Sequence, residues 1–243
     1  MIIINADDWG RSRAETDAAL KCFRAKRITS VTAMMFMEDS ERAAGLAKEW
    51  GIDAGLHLNL SQRFNGPGVP EEVRRSHDRV VRFILRSKYA VLFYHPLLRR
   101  DFRRVFQAQW DEFVRLYGRA PSHVDGHQHR HLSANVLLDR IIPAGEKVRR
   151  NFSFWPGEKG LVNRAYRRVL DNWMSRRYRL TDYFFSLGTC LQTGCLSRVA
   201  DLGKTASVEL MTHPVRQNEL EYLSGDTWVI TFGRHRMGSY RQL

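Results

Sequence analysis

The chain has 243 residues, 43% apolar and 27% charged, with 39 Lys and Arg against 26 Asp and Glu for a formal charge of +13. These values fit one folded α/β domain and exclude a disordered chain, and no period of roughly 20 to 50 residues marks a repeat array. Three cysteines (Cys22, Cys190, Cys195) give neither a disulfide framework nor a zinc finger, and no apolar run reaches the roughly 18 residues that span a bilayer.

Ile2, Ile3 and Ile4 predict a buried parallel strand ending at Asn5, Asp7 and Asp8. No basic stretch precedes this run, so it does not read as a signal peptide, and a cytoplasmic location is expected. After Trp9-Gly10, Ser12 and Glu15 have capping-box spacing and open a helix through Phe23. A second strand is expected over Val31–Phe36, a second helix over Ser40–Trp50 and a third strand over Ile52–Leu60. In that third strand His57 and Asn59 share one face, and Leu56, Leu58 and Leu60 the other. Residues 61–94 lose the pattern, so an insertion is expected at about 61–100. Phe102, Val105, Phe106, Trp110, Phe113 and Leu116 then lie at helical spacing, closed by Gly118 and Pro121. Further helices are expected over Ser133–Ile142 and Asn163–Tyr178, with strands over Val208–Met211 and Thr227–Phe232. Alternating strands and helices predict a mostly parallel sheet with right-handed crossovers, closed as a barrel or open and doubly wound. Either architecture puts its chemistry at the carboxyl ends of the strands.

The polar clusters fall at those ends. Residues 123–131 hold His123, His127, His129 and His131 with Asp125, a density of metal-ligand side chains that no folding requirement demands. In an extended segment His123, Asp125 and His127 share a face, so His127 can ligate while Asp125 orients an imidazole or meets substrate. His129 and His131 read as support, substrate contacts or exposed residues. Of Asp7 and Asp8, one carboxylate can hold a divalent cation while the other accepts a proton, because Ser12 already caps the helix. His57, alone, would read as a satisfied core histidine; the other two clusters make it a ligand. His213, before Pro214, is placed to protonate a leaving amine, with Glu209 four residues earlier to orient it. His77, His95 and His235 lack such context and read as surface residues.

Together these segments resemble the YdjC-like carbohydrate deacetylase family, which includes chitooligosaccharide deacetylases. The resemblance rests on Asn5-Ala-Asp-Asp-Trp-Gly10, Gly55-Leu-His-Leu-Asn-Leu60, Pro121-Ser-His-Val-Asp-Gly-His-Gln-His-Arg-His131 and His213-Pro214, which span most of the chain in order. It implies a single-domain distorted (β/α) TIM-like barrel, and one divalent metal (zinc, magnesium, manganese, cobalt or nickel) on Asp8, His57 and His127. It also implies Asp7 as the base and His213 as the acid, with Asn5, Asn59, His123, Asp125, His129, His131 and Glu209 in substrate or supporting positions. The chain departs from the family pattern with Trp9 for Phe and Gly126 for Ser, changes expected in the pocket lining.

Residues 71–106 surround an aromatic and aliphatic patch with arginines, and Arg164–Arg179 adds Tyr166, Trp173 and Tyr178 among basic residues. Such a composition suits either an anionic membrane surface or ordinary basic helices with one face in the core. The resulting expectation is an enzyme that removes the acetyl group from an N-acetylated amino sugar on a polyprenyl-phosphate or similar lipid carrier. It would work in the cytoplasm, peripherally on the inner face of the membrane. A soluble chitooligosaccharide is the alternative substrate. A nucleic-acid-binding protein using the +13 charge is a remote rival, and no nucleic acid partner is expected. Phosphoester hydrolysis is disfavoured because no two-metal carboxylate cage is evident.

Overall fold

A strand covered on both faces can bury three consecutive isoleucines. In the computed structural model, which describes residues 1–155 and 157–243, β1 (Ile2–Trp9) is buried along its whole length. It lies inside a six-stranded sheet in the order β4-β3-β2-β1-β6-β5, with all neighbouring strands parallel. The strands are β2 (Ser30–Ala33), β3 (Ala54–Leu58), β4 (Val124–Gly126), β5 (Tyr183–Ser186) and β6 (Val208–Thr212).

The sheet curls into a half-barrel, and an irregular segment bridges its two edges. Val148 forms a bridge with Val124 of β4 and its N–H donates to Arg179; Ser153 N–H donates to Phe184 of β5. Helices α1 (Arg13–Arg24), α2 (Ser40–Glu49) and α4 (Arg99–Tyr117) form the crossovers that cover the sheet. Ser12 caps α1, its hydroxyl accepting from Ala14 N–H at 3.2 Å, and Gly118 ends α4 in the left-handed region at φ 69°. Phe102, Val105, Phe106 and Phe113 of α4 enter the core as the spacing predicted.

Several expectations change. The stretch read as irregular contains α3 (Glu71–Leu85), which packs Val73, Val80, Val81 and Ile84 inward. Its arginines obscured a helical period that the buried face obeys. Thr227–Phe232, expected as the last strand, lies in a helix, here α10 (Asp226–Phe232); Trp228 and Phe232, four apart, are its buried pair. A short β-branched run cannot by itself separate the two periods. The expected strand Val31–Phe36 ends at Ala33. The helix expected over Ser133–Ile142 shrinks to α5 (Ala134–Leu138), and that over Asn163–Tyr178 becomes α6 (Leu161–Ser175). β5 was not anticipated. The remaining helices, α7 (Leu187–Thr193), α8 (Leu196–Leu202) and α9 (Gln217–Ser224), fill the crossover and return around β6.

Candidate active site

Neighbouring residues of a regular strand point to opposite faces, yet Asp7 and Asp8 both reach the barrel interior. The register of β1 against β2 shifts between Ala6 and Trp9, and Asp8 has φ 64°. Aspartate is among the few residues that tolerate this left-handed geometry. Trp9, past the kink, is buried with its indole N–H donating to Ala43 of α2, so it belongs to the core and not to a pocket lining.

Asp8, His57 and His127 come from the ends of β1, β3 and β4, and their ligand atoms lie within 4.8 Å of one another. Asp8 Oδ1 is 2.9 Å from His127 Nδ1 and 3.4 Å from His57 Nε2. Because β3 and β4 are in register, His57 sits opposite Asp125, and its Nδ1 meets Asp125 Oδ1 at 2.6 Å. That contact turns Nε2 toward Asp8. The other end of Asp8 meets Arg11 at 3.2 Å and His213 Nε2 at 4.0 Å.

Beneath the triad lies a buried charge cluster. Arg149, on the bridging segment and fully buried, binds both oxygens of Asp7 at 2.7 Å, Asp125 Oδ2 at 2.6 Å and Glu209 Oε1 at 2.7 Å. Asn5 Nδ2 donates to Asp7 Oδ1 and to Thr32 Oγ1, each at 3.0 Å. Tyr240 donates its hydroxyl to Glu209 and stacks on His123 with ring centroids 3.7 Å apart. Burial opposes ionisation of Asp7, but Arg149 outweighs it and holds the carboxyl below its usual range. Asp8 is likewise pulled down against burial by His127 and His57. For His57, burial disfavours the cation, yet Asp125, Asp7 and Asp8 raise its pKa to about 10. Burial lifts Glu209 to about 7 despite Arg149.

Not every expected residue joins this arrangement. His123 and Asp125 share the inward face, with Glu209 beside them, but His127 leaves the strand and begins a 3-10 turn (His127–Leu132). Burial lowers His123 and His131 to about 4 and His129 to about 3. His131 Nε2 donates to the Arg149 carbonyl at 3.0 Å, a tautomer fixed by that acceptor, and His129 packs edge-on to Phe152. Asn59 is buried away from the triad, its amide closing the loop to Gln62. Glu209 does not orient His213, because Arg149 and Tyr240 hold it inside the barrel; Glu219 accepts the His213 backbone N–H at 2.8 Å instead. Nor is His77 a surface residue: it is buried and stacked on Phe64 at 3.6 Å. His95 and His235 are partly buried. A side chain at Gly126 would meet the His131 backbone nitrogen at 2.8 Å, so this glycine permits the tight turn that follows the strand.

Arg149 and Tyr240 were not found from the sequence. Arg149 sits in a Val-Arg-Arg-Asn run that reads as a solvated charge patch; the available signal was three inward carboxylates with no cation among the motifs.

Gln128, His129 and Arg130, directly after His127, line a cavity of about 450 Å³ whose other walls include Lys88, Leu92, Arg150, Tyr166 and Arg167. Among the described residues no helix is long and apolar enough to cross a membrane.

A family model described as "YdjC-like protein" matches residues 1–236. A carbohydrate deacetylase of Mus musculus is 28% identical over 244 residues, covering 88% of this chain and 77% of its own length. A chitooligosaccharide deacetylase of Enterobacter sp. (strain 638) is 27% identical over 266 residues, covering 100% and 99%. The crystal structure of an Enterococcus faecalis protein, provisionally described as a cellobiose-phosphate cleavage protein, superposes with a TM-score of 0.68 at 18% identity, covering 99% of this chain and 97% of that one. This last likeness establishes the shared fold.

Proposed function

The chain belongs to the YdjC-like family, in which its relatives are carbohydrate and chitooligosaccharide deacetylases, and from that premise we propose a metal-dependent N-deacetylase acting on an N-acetylated amino sugar joined to a polyprenyl-phosphate or similar lipid carrier. The observation that carries the chemistry is the convergence of Asp8, His57 and His127 from three strand ends. One carboxylate and two imidazoles form a donor set that suits a divalent cation, with Asp125 fixing the tautomer of His57 as such sites require. A cation held there would polarise the acetyl carbonyl and make water acidic enough to attack near neutral pH.

The protein's own groups then divide the proton transfers. Asp7 is ionised throughout the neutral range, and Oδ2, which accepts from Arg149, keeps a lone pair for the proton of the attacking water. Arg149, Asn5 and Thr32 hold that carboxylate in one orientation. His213, fixed through its backbone by Glu219, would donate from Nε2 to the departing amine. Lys88, Arg130, Arg150 and Arg167 would hold the anionic linker in the adjoining cavity, with Leu92 and Tyr166 against the first lipid carbons. Such a substrate places the enzyme at the cytoplasmic membrane face.

A soluble chitooligosaccharide is the second reading, favoured by the end-to-end match to the Enterobacter relative. Acetate release from free and lipid-linked N-acetylhexosamines by metal-loaded protein tests both. The expected result is release that His57→Ala abolishes, faster with the lipid-linked substrate. Equal release by wild type and His57→Ala would refute the site.

A further inference from the structure

Of the seventeen large apolar side chains exposed among the described residues, ten come from residues 85–97 and 161–169. Leu97 and Val162 are each 85% exposed and Phe93 is 66% exposed. Val162, Tyr166 and Val169 repeat at helical spacing, so the first half of α6 carries an apolar stripe that is largely exposed. The two stretches are far apart in sequence but line one cavity with the residues that follow His127, Leu92 from one and Tyr166 from the other.

The charges within the two stretches themselves are of one sign. Residues 79–100 contain Arg79, Arg82, Arg86, Lys88, Arg99 and Arg100 without an acidic residue; residues 159–170 contain Lys159, Arg164, Arg167 and Arg168, again without one. Only Arg79 and Arg99 of these ten form ion pairs among the described residues, with Asp101 and Asp139. We propose that this rim docks on an anionic lipid bilayer, the apolar tips entering the interface and the arginines meeting headgroups, so that the cavity following His127 opens toward the membrane. Exposed apolar tips ringed by cations are the pattern of interfacial anchoring. A second copy would bring the same positive charge against it, which disfavours self-association through this face. A nucleic acid would satisfy the arginines and leave the apolar tips in water.

The proposal deepens the lipid-linked reading above and is tested without substrate or metal. Flotation with vesicles of phosphatidylglycerol and phosphatidylcholine, compared with phosphatidylcholine alone, reads the surface directly. Wild type is expected to float with the anionic vesicles at low salt. The triple variant Phe93→Glu, Leu97→Glu, Val162→Glu should partition at least about tenfold less, with an unchanged circular dichroism spectrum. If that variant misfolds, Arg86→Glu with Arg100→Glu tests the same surface through charge alone. Wild type that stays unbound, variants that float like wild type, or a wild-type dimer that the triple variant dissolves would each overturn the proposal. Protein that releases acetate without floating refutes the docking surface alone, and protein that floats without releasing acetate refutes the deacetylase reading alone.

Discussion

Replacing Arg149 by methionine keeps most of the side-chain volume and removes the cation that Asp7, Asp125 and Glu209 share inside the barrel. The three carboxylates do not suffer equally. Glu209 already has its pKa near 7 and can take a proton at little cost, and Asp125 keeps His57 at 2.6 Å. Asp7 is the one left without a cation in contact, keeping only the neutral donors Asn5 and Thr32. It can remain charged in the interior or bind a proton, and from an ordinary value of 3.8 the proton costs about 4 kcal/mol at pH 7 and about 1.5 kcal/mol at pH 5. Stranding a buried charge costs about 3–5 kcal/mol, so the two routes agree at pH 7. Arg149→Met is therefore expected to lose about 4 kcal/mol at pH 7, a large share of the stability of a domain this size, and roughly a third of that at pH 5. Arg149→Lys should fall between, because one ammonium cannot grip both oxygens of Asp7 while reaching Asp125 and Glu209. Urea unfolding of metal-free protein, followed by tryptophan fluorescence at both pH values, measures the difference. A loss below about 1 kcal/mol at pH 7, or one independent of pH, would show that Arg149 does not neutralise this cluster.

Asp125→Asn weakens the acceptor at His57 Nδ1 and should reduce divalent-cation affinity about 10- to 100-fold by calorimetric titration; wild-type affinity would count against Asp125 as the group that aims His57. Metal-free protein should lose stability as pH falls from 6.5 toward 4, because three buried histidines together outweigh Glu209, whose pKa raised to about 7 acts in the opposite direction. Burial holds His77, His123 and His131 near 4, below the ordinary 6.5, so the unfolded chain takes up protons first, and each group costs about 1.4 kcal/mol per pH unit within that window. His57 adds no slope there, since its raised pKa gives a contribution fully present below 6.5 and lost only as pH rises toward 10. Unfolding midpoints that do not move between pH 6.5 and 5 would contradict the neutral burial of these histidines. Gly55→Ala would put a methyl group 2.8 Å from the His123 carbonyl oxygen, and a loss of about 1–3 kcal/mol in urea is expected. An unchanged midpoint would mean that β3 and β4 can part at no cost.

The amino-acid order determined whatever is encoded over a few neighbouring residues. The isoleucine run of β1, the Ser12 cap and the apolar spacing of α4 were legible because burial and backbone hydrogen bonding impose periods of two or 3.6. The triad was legible for a different reason: Asp8, His57 and His127 each stand at the end of such a run, and parallel strands gather their carboxyl ends on one side of the sheet. Tertiary structure alone decided how those ends were wired. Alternation would have separated Asp7 from Asp8, and only the left-handed turn at Asp8, sustained by the surrounding packing, brings them to one cluster. Arg149 and Tyr240 enter from segments with no regular period, drawn in by carboxylates that lie as much as 142 residues away in the chain. Coulombic need in a desolvated interior depends on distance through space, and no local pattern in the sequence records that distance.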